Sequence, residues 1–247
     1  MLYRFIDWSR RCALRLPAAL PTSCALCGIP GTAALCAPCG RQFFSRRPPR
    51  CAQCAYPLAG GEHEPSLCGN CLREPRAFDA TIVAGDYSAP IDHLVLALKF
   101  GNQLALAPLF AQLIVDAILR ERAFAMPTIM AAVPLGAQRL AERGFNQALE
   151  IAKPLSKAIA IPLLPRLLHR SRETFTQSSL PPDARHRNIR NAFTLGPQAA
   201  DLVRGQHIAI VDDVLTTGET LNEVAALLKR YGAARVTNFV FARTPPR

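Results

Sequence analysis

The sequence predicts an α/β fold, a mainly parallel sheet with helices on both faces, preceded by a small cysteine-rich module. Three observations predict it. From Ala80 onward, apolar runs of strand length alternate with stretches whose apolar residues recur at helical spacing. Upstream, four Cys-x-x-Cys pairs stand between Cys24 and Cys71. Near the end, Ile208-Ala209-Ile210-Val211 leads into Asp212-Asp213, then into Thr216-Thr217-Gly218-Glu219-Thr220 and a helical pattern.

A chain of 247 residues, half of them hydrophobic, holds one ordinary domain with a sizeable core plus a small module. The formal net charge of +11 points to an anionic partner: nucleic acid, a phosphorylated ligand or a membrane surface. Most of the basic residues are Arg, which suits bidentate phosphate contacts, although a solvated basic surface has the same composition. No segment is long enough to span a bilayer. The longest apolar stretch, Leu104 to Leu119, is interrupted by Gln112 and Asp116. Arg15 interrupts the apolar core that a signal peptide would need, so the expected location is cytoplasmic.

In chain order, residues 1–22 come first. Leu2, Phe5, Ile6, Cys12 and Leu16 fall near one helical face, an amphipathic helix ended by Pro17 and Pro21. Contact with a membrane surface is a rival use of that face, and Cys12 reads as a buried thiol.

Residues 23–76 form the cysteine module: Cys24/Cys27, Cys36/Cys39, Cys51/Cys54 and Cys68/Cys71. Each pair bends the chain so that both sulfurs face one ion, and two pairs complete a tetrahedral thiolate shell, which predicts two structural Zn²⁺ ions. The region has little apolar content, so metal binding supplies folding free energy. A redox role would need a thioredoxin-like βαβ setting, which is absent around these pairs, and disulfides would need an oxidising compartment. Sequential pairing is the simplest; a cross-braced arrangement, first pair with third, stays open.

The composition changes around Pro75 to Phe78, and residues 77–247 form the second predicted domain. Its elements are a strand from Ala80 to Tyr87, a helix with Ile91, Leu94, Val95 and Leu98 ending at Lys99-Phe100-Gly101, and a helix over about 104–121. A buried strand covers 129–134. A loop with Arg139 follows, then a helix containing Arg143-Gly144-Phe145-Asn146-Gln147, and a strand near 161–168. Residues 169–191 are polar and basic without strong periodicity. The last unit is strand 207–213, helix 219–231 and strand 235–242.

That last unit carries the chemistry. The free N–H groups of a helix's first turn face whatever precedes it, and the helix dipole favours negative charge there. Gly218 lets the backbone approach, and the hydroxyls of Thr216, Thr217 and Thr220 add donors for phosphate oxygens. Asp212 and Asp213 suit a polyhydroxylated sugar or a metal ion, so the combined preference is for a sugar phosphate. A Walker B strand would require a Gly-Lys phosphate loop, and the sequence has no Gly-Lys pair.

The stretch resembles the 5-phosphoribosyl-1-pyrophosphate (PRPP) motif of type I phosphoribosyltransferases. The wider order resembles the ComF family (its GntX-like branch included), competence-associated proteins with a double zinc ribbon before a phosphoribosyltransferase-like domain. The residues that carry it are the Cys pairs, Leu98-Lys99-Phe100-Gly101, Val133-Pro134-Leu135 with Arg139, Arg143-Gly144-Phe145-Asn146-Gln147, Thr176-Gln177-Ser178, Arg185, Arg187, Asn188, Asp212-Asp213 and Thr216-Thr217-Gly218. One departure is Gly136-Ala137, where the resemblance implies a basic residue or His after Pro134-Leu135.

The resemblance implies a type I phosphoribosyltransferase-like fold and a PRPP site. Asp212 and Asp213, the catalytic candidates, would hold the ribose, and Thr216, Thr217, Gly218, Glu219 and Thr220 would supply the 5-phosphate turn. The loop carrying Arg139 would meet the pyrophosphate, with Lys99 close by and Mg²⁺ (magnesium) entering with PRPP. If the site is active, a nitrogen nucleophile displaces pyrophosphate from the anomeric carbon. The family role implied is cytoplasmic handling of incoming single-stranded DNA in natural transformation, beside a competence helicase-type partner. Two function classes therefore stand: a DNA-uptake protein with a phosphoribosyltransferase fold, and an active transferase with an unknown acceptor. Arg143, Asn146 and Gln147 are either site residues or hydrogen-bonded helix residues. Residues 172–190 read equally as a lid over the substrate or an arm for DNA phosphates.

Overall fold

The computed structural model describes residues 22–45, 48–58, 67–121, 124–171, 191–197 and 199–245. Residues 1–21 of the helix expected over 1–22, with Cys12, and the lid or arm over 172–190 lie outside the described residues, and Thr22, the last residue of that range, is in a strand. The chain divides into two compact units, Met1–Arg46 and Arg47–Arg247.

In the first unit β1 (Thr22–Ser23) pairs antiparallel with β2 (Pro30–Gly31), and α1 (Ala37–Phe44) follows with Cys39 and Phe44 buried. Pro38 sits in the first helical turn, where its missing N–H has no intrahelical acceptor to lose.

The second unit starts with the other two Cys pairs and a short helix, α2 (Gly69–Arg73). It continues as an α/β body: β3 (Ala80–Asp86), α3 (Ile91–Phe100), α4 (Leu106–Leu119), β4 (Ile129–Ala132), α5 (Ala137–Arg143), α6 (Gln147–Ile159), β5 (Leu168–Arg170), β6 (Phe193–Leu195), α7 (Ala199–Val203), β7 (His207–Leu215), α8 (Glu219–Arg230) and β8 (Arg235–Arg243). The main sheet has the order β3-β8-β7-β4 and every pair in it is parallel. β8 is buried at every position from Val236 to Arg243, so alternate side chains on both faces are covered. Helices α4 and α6 pack on each other and on the sheet, and α8 packs on β8. Phe110 of α4 stacks on Phe241 of β8, with ring centroids 3.6 Å apart.

Three local departures from the sequence reading have physical causes. The strand expected near 161–168 reaches the sheet only as an isolated bridge between Met130 and Leu163. Pro162 and Pro165 lack the N–H groups a ladder needs, and the chain pairs later, β5 with β6 as a separate antiparallel two-stranded sheet. The single helix expected through Arg143–Gln147 is two. Gly144 adopts φ 75 and caps α5, and Asn146 starts α6 by accepting from the Leu149 N–H. Finally, β7 runs to Leu215, so Asp212 and Asp213 lie within the strand rather than at its last residues.

Candidate functional site

The acidic pair faces a crevice because its neighbouring strand stops short. β4 ends at Ala132, paired with Val211, and a last bond joins the Val133 N–H to the Val211 carbonyl. Pro134 cannot continue the ladder, and the chain leaves toward α5. From Asp212 onward that side of β7 is open, at the carboxyl edge of a parallel sheet, where such folds place ligands. The cleft there measures about 1480 Å³ and is lined by Lys99, Pro134, Arg139, Arg143, Arg170, Asp212, Asp213, Thr216, Thr217, Glu219 and Thr220, among others.

Asp213 is buried and its Oδ1 lies 3.0 Å from Lys99 Nζ, at the last turn of α3. Asp212 accepts a hydrogen bond from the Asp213 N–H at 2.9 Å. Burial first, and the charge of Asp213 second, push the Asp212 carboxyl up to about 7, against the pull of Lys99, the Asp213 N–H and Arg170. Two adjacent carboxylates with a lysine beside them therefore form a site whose charge changes near neutral pH.

The turn after β7 ends in Gly218, whose φ of 87 is left-handed; a Cβ there would meet only ordinary contacts at 3.7–4.0 Å, so the backbone conformation, not space, calls for glycine. Gly218 caps α8, whose first residues Glu219 and Thr220 line the cleft, and the Glu219 N–H donates to Thr217 Oγ1 at 3.5 Å. The Glu219 side chain pairs with Arg76, 2.7 Å from Nη1 to Oε1, and both are largely buried. Thr216 is exposed, while Thr217 and Thr220 are half-buried.

Arg143 and Asn146 make hydrogen bonds within the fold, while Gln147 accepts one through Oε1 and its buried Nε2 has no partner among the described residues. Arg143 Nη1 donates to Gln147 Oε1 at 3.1 Å across the α5–α6 break, and its guanidinium lies 5.1 Å from the Phe100 ring centroid. Asn146 Nδ2 donates to the Val133 carbonyl at 3.0 Å, which ties α6 to the end of β4. Arg143, Asn146 and Gln147 all line the cleft, and burial lowers the pKa of Arg143, opposed by Asp213.

The eight cysteines gather in two groups, Cys24, Cys27, Cys36 and Cys39, and Cys51, Cys54, Cys68 and Cys71, so the pairing is sequential, not cross-braced. Within each group the four sulfurs lie within 4.8 Å of one another. Cys27 and Cys36 are 3.7 Å apart and Cys54 and Cys68 are 3.6 Å apart. A tetrahedron with Zn–S bonds of about 2.3 Å has edges of about 3.8 Å, so both groups fit zinc. Backbone N–H groups point at sulfur, Cys36 to Cys24 and Cys54 to Cys51. Burial raises the Cys24 thiol, but hydrogen bonds from the backbone of Cys36, Cys27 and Leu26 outweigh it and lower it to about 6. In the same group the Cys36 side chain first, and burial second, push the Cys39 thiol up to about 12, so a metal binding all four must displace protons.

Sequence reasoning missed the contacts that tie the second cysteine group to the cleft. Arg243, at the end of β8, donates to the carbonyls of Cys54, Leu215, Thr216 and Thr244. Gln53, inside the Cys51–Cys54 knuckle, donates to the carbonyls of Arg76 and Phe78 at 3.1 and 2.9 Å. The one sequence signal was Gln53 itself, a long polar side chain between two metal ligands.

Residues 16–72 match the double zinc ribbon domain family, and residues 146–246 match the phosphoribosyl transferase domain family. The chain is 36% identical over 235 residues to the DNA utilization protein YhgH of Salmonella typhimurium, covering 91% of this chain and 98% of that protein. It is 33% identical over 212 residues to Competence protein F of Haemophilus influenzae, covering 85% and 90% respectively. The chain belongs to the ComF family. Among solved structures, an allosteric regulatory enzyme of purine biosynthesis is 20% identical, with a TM-score of 0.34 over 56% of this chain and 24% of that one. This ComF-family chain thus joins a double zinc ribbon to a phosphoribosyltransferase-type parallel sheet. No helix among its described residues is long and apolar enough to cross a membrane.

Proposed function

We propose that this ComF-family chain serves DNA uptake and utilization in the cytoplasm, handling incoming single-stranded DNA, and that its cleft is a PRPP-type ribose and phosphate site. The observation that carries the site is the crevice itself: Asp212 and Asp213 open where β4 stops, beside the Thr216–Thr220 turn. The turn and the first N–H groups of α8 suit the 5-phosphate, and the acidic pair suits the ribose hydroxyls. Lys99 and Arg139 line the same cleft and suit the pyrophosphate. Magnesium, entering with PRPP, would supply charge neutralisation to the leaving pyrophosphate, and Asp212 and Asp213 are the donors of the right hardness to face it.

The DNA role draws on the relatives, a DNA utilization protein and a competence protein, and on the +11 charge. The helicase-type partner follows from the same family reading. Under this reading the chain has three parts, 1–22, 23–76 and 77–247.

The alternative is an active transferase passing the phosphoribosyl group from PRPP to a nitrogen acceptor. The pairing of Asp213 with Lys99 favours it, because a buried, charge-balanced carboxylate is what a positioned ribose contact needs. Binding of PRPP and of single-stranded DNA to the zinc-loaded chain tests both readings. Pyrophosphate release in a screen of nitrogen nucleophiles selects the second.

A further inference from the structure

We propose that Arg76 is a positioning residue of the phosphate turn: it neutralises the Glu219 carboxylate and so lets the turn accept a phosphate dianion. This rests on the phosphoribosyl reading above.

Glu219 places a carboxylate within this turn. It opens α8, and its N–H donates to Thr217 Oγ1 at 3.5 Å, so its side chain and the threonine of the turn share the same helix end. A carboxylate at that position competes with the phosphate for the positive end of the helix and repels it at short range. Glu219 is also buried, 7% exposed, so water does little to screen it. Its compensation is Arg76, whose side chain is itself only 12% exposed, with Nη1 2.7 Å from Glu219 Oε1. The pair leaves the mouth of the turn without net charge from this carboxylate.

Arg76 is held there by its backbone. Its N–H donates to Gln53 Oε1, and its carbonyl accepts from Gln53 Nε2. The next residue, Ala77, donates its N–H to Asn222 Oδ1 at 2.7 Å. The one after, Phe78, is buried with its ring 3.8 Å from where a Cβ on Gly218 would lie. Three consecutive residues thus meet Glu219, Asn222 and Gly218, the first turn of α8. The arginine is set against the phosphate turn by a grip that does not depend on its own side chain.

The test is a charge cycle read by calorimetry with inorganic phosphate and with PRPP plus magnesium, on the zinc-loaded full chain. Arg76→Gln is expected to weaken both ligands at least tenfold. Arg76→Gln combined with Glu219→Gln is expected to recover most of that loss, because the uncompensated charge is gone. Thermal melts accompany each variant. A double variant no stronger than Arg76→Gln, or affinities that merely follow the melting temperature, would overturn the assignment, as would unchanged affinity in Arg76→Gln. If the wild-type chain binds neither ligand, the phosphoribosyl reading itself fails and the role of Arg76 goes with it.

Discussion

Arg243 donates from Nε to the carbonyl of Cys54 at 3.1 Å while its Nη1 donates to the carbonyl of Thr216. One buried guanidinium thereby joins the second cysteine knuckle to the Thr216–Thr220 turn, with Tyr56 at 5.6 Å covering it. Burial lowers its pKa, opposed by the thiols of Cys54 and Cys68, but a guanidinium stays charged. Replacing Arg243 with Met strands several carbonyls in the interior. The expected loss is about 2–4 kcal/mol of stability, read by urea unfolding. Lysine should not restore it, because a single ammonium cannot reproduce the planar fork.

The second cysteine group should matter to ligand binding as well as to folding. Gln53 and the Cys54 carbonyl are its grips on Arg76, Phe78 and Arg243. Cys54→Ser is expected to cut the zinc content from two ions per chain to one and to weaken PRPP binding in the same preparation. Zinc analysis and calorimetry on one sample check this. Full PRPP affinity with one zinc lost would contradict it.

The Asp212 carboxyl gives a pH dependence with a definite sign. Its folded value, about 7, lies above the ordinary 3.8, so between those values the folded chain holds a proton that the unfolded chain has released. Its contribution to stability is therefore fully present below about pH 4 and is lost as pH rises through 7. Asp212→Asn removes that slope and should be more stable than wild type at pH 8, relative to pH 5. Urea midpoints at both values for both proteins measure it, and the zinc centres, common to both, cancel in the difference.

DNA binding, if it proceeds by phosphate contacts, should favour single strands, tolerate any sequence and weaken steeply with salt. Fluorescence anisotropy with a labelled oligonucleotide from 50 to about 200 mM salt is expected to show at least a tenfold loss of affinity. A flat salt response would contradict the role assigned to the +11 charge.

Much of the fold was legible because its parts are local. β7, α8 and β8 follow from uninterrupted periodicity, and the Cys pairs announced their metal geometry by spacing alone. The sequential pairing was not legible, since either arrangement has the same spacing. Prolines at 162 and 165 remove ladder donors from an apolar run that otherwise has strand character, and only Leu163 bridges to the sheet. The contacts of Arg76 with Glu219 and of Arg243 with Cys54 span 143 and 189 residues, and no local pattern encodes such partners.

The central claim is that the cleft binds a phosphoribosyl ligand through the acidic pair. Calorimetric titration of the zinc-loaded chain with PRPP and magnesium, beside the Asp213→Asn variant, tests it most directly. The account predicts saturable binding by the wild-type chain and its loss in the variant, with the melting temperature of the variant within a few degrees of wild type. Equal affinity in the two proteins, or no binding to a folded wild-type chain, would contradict it.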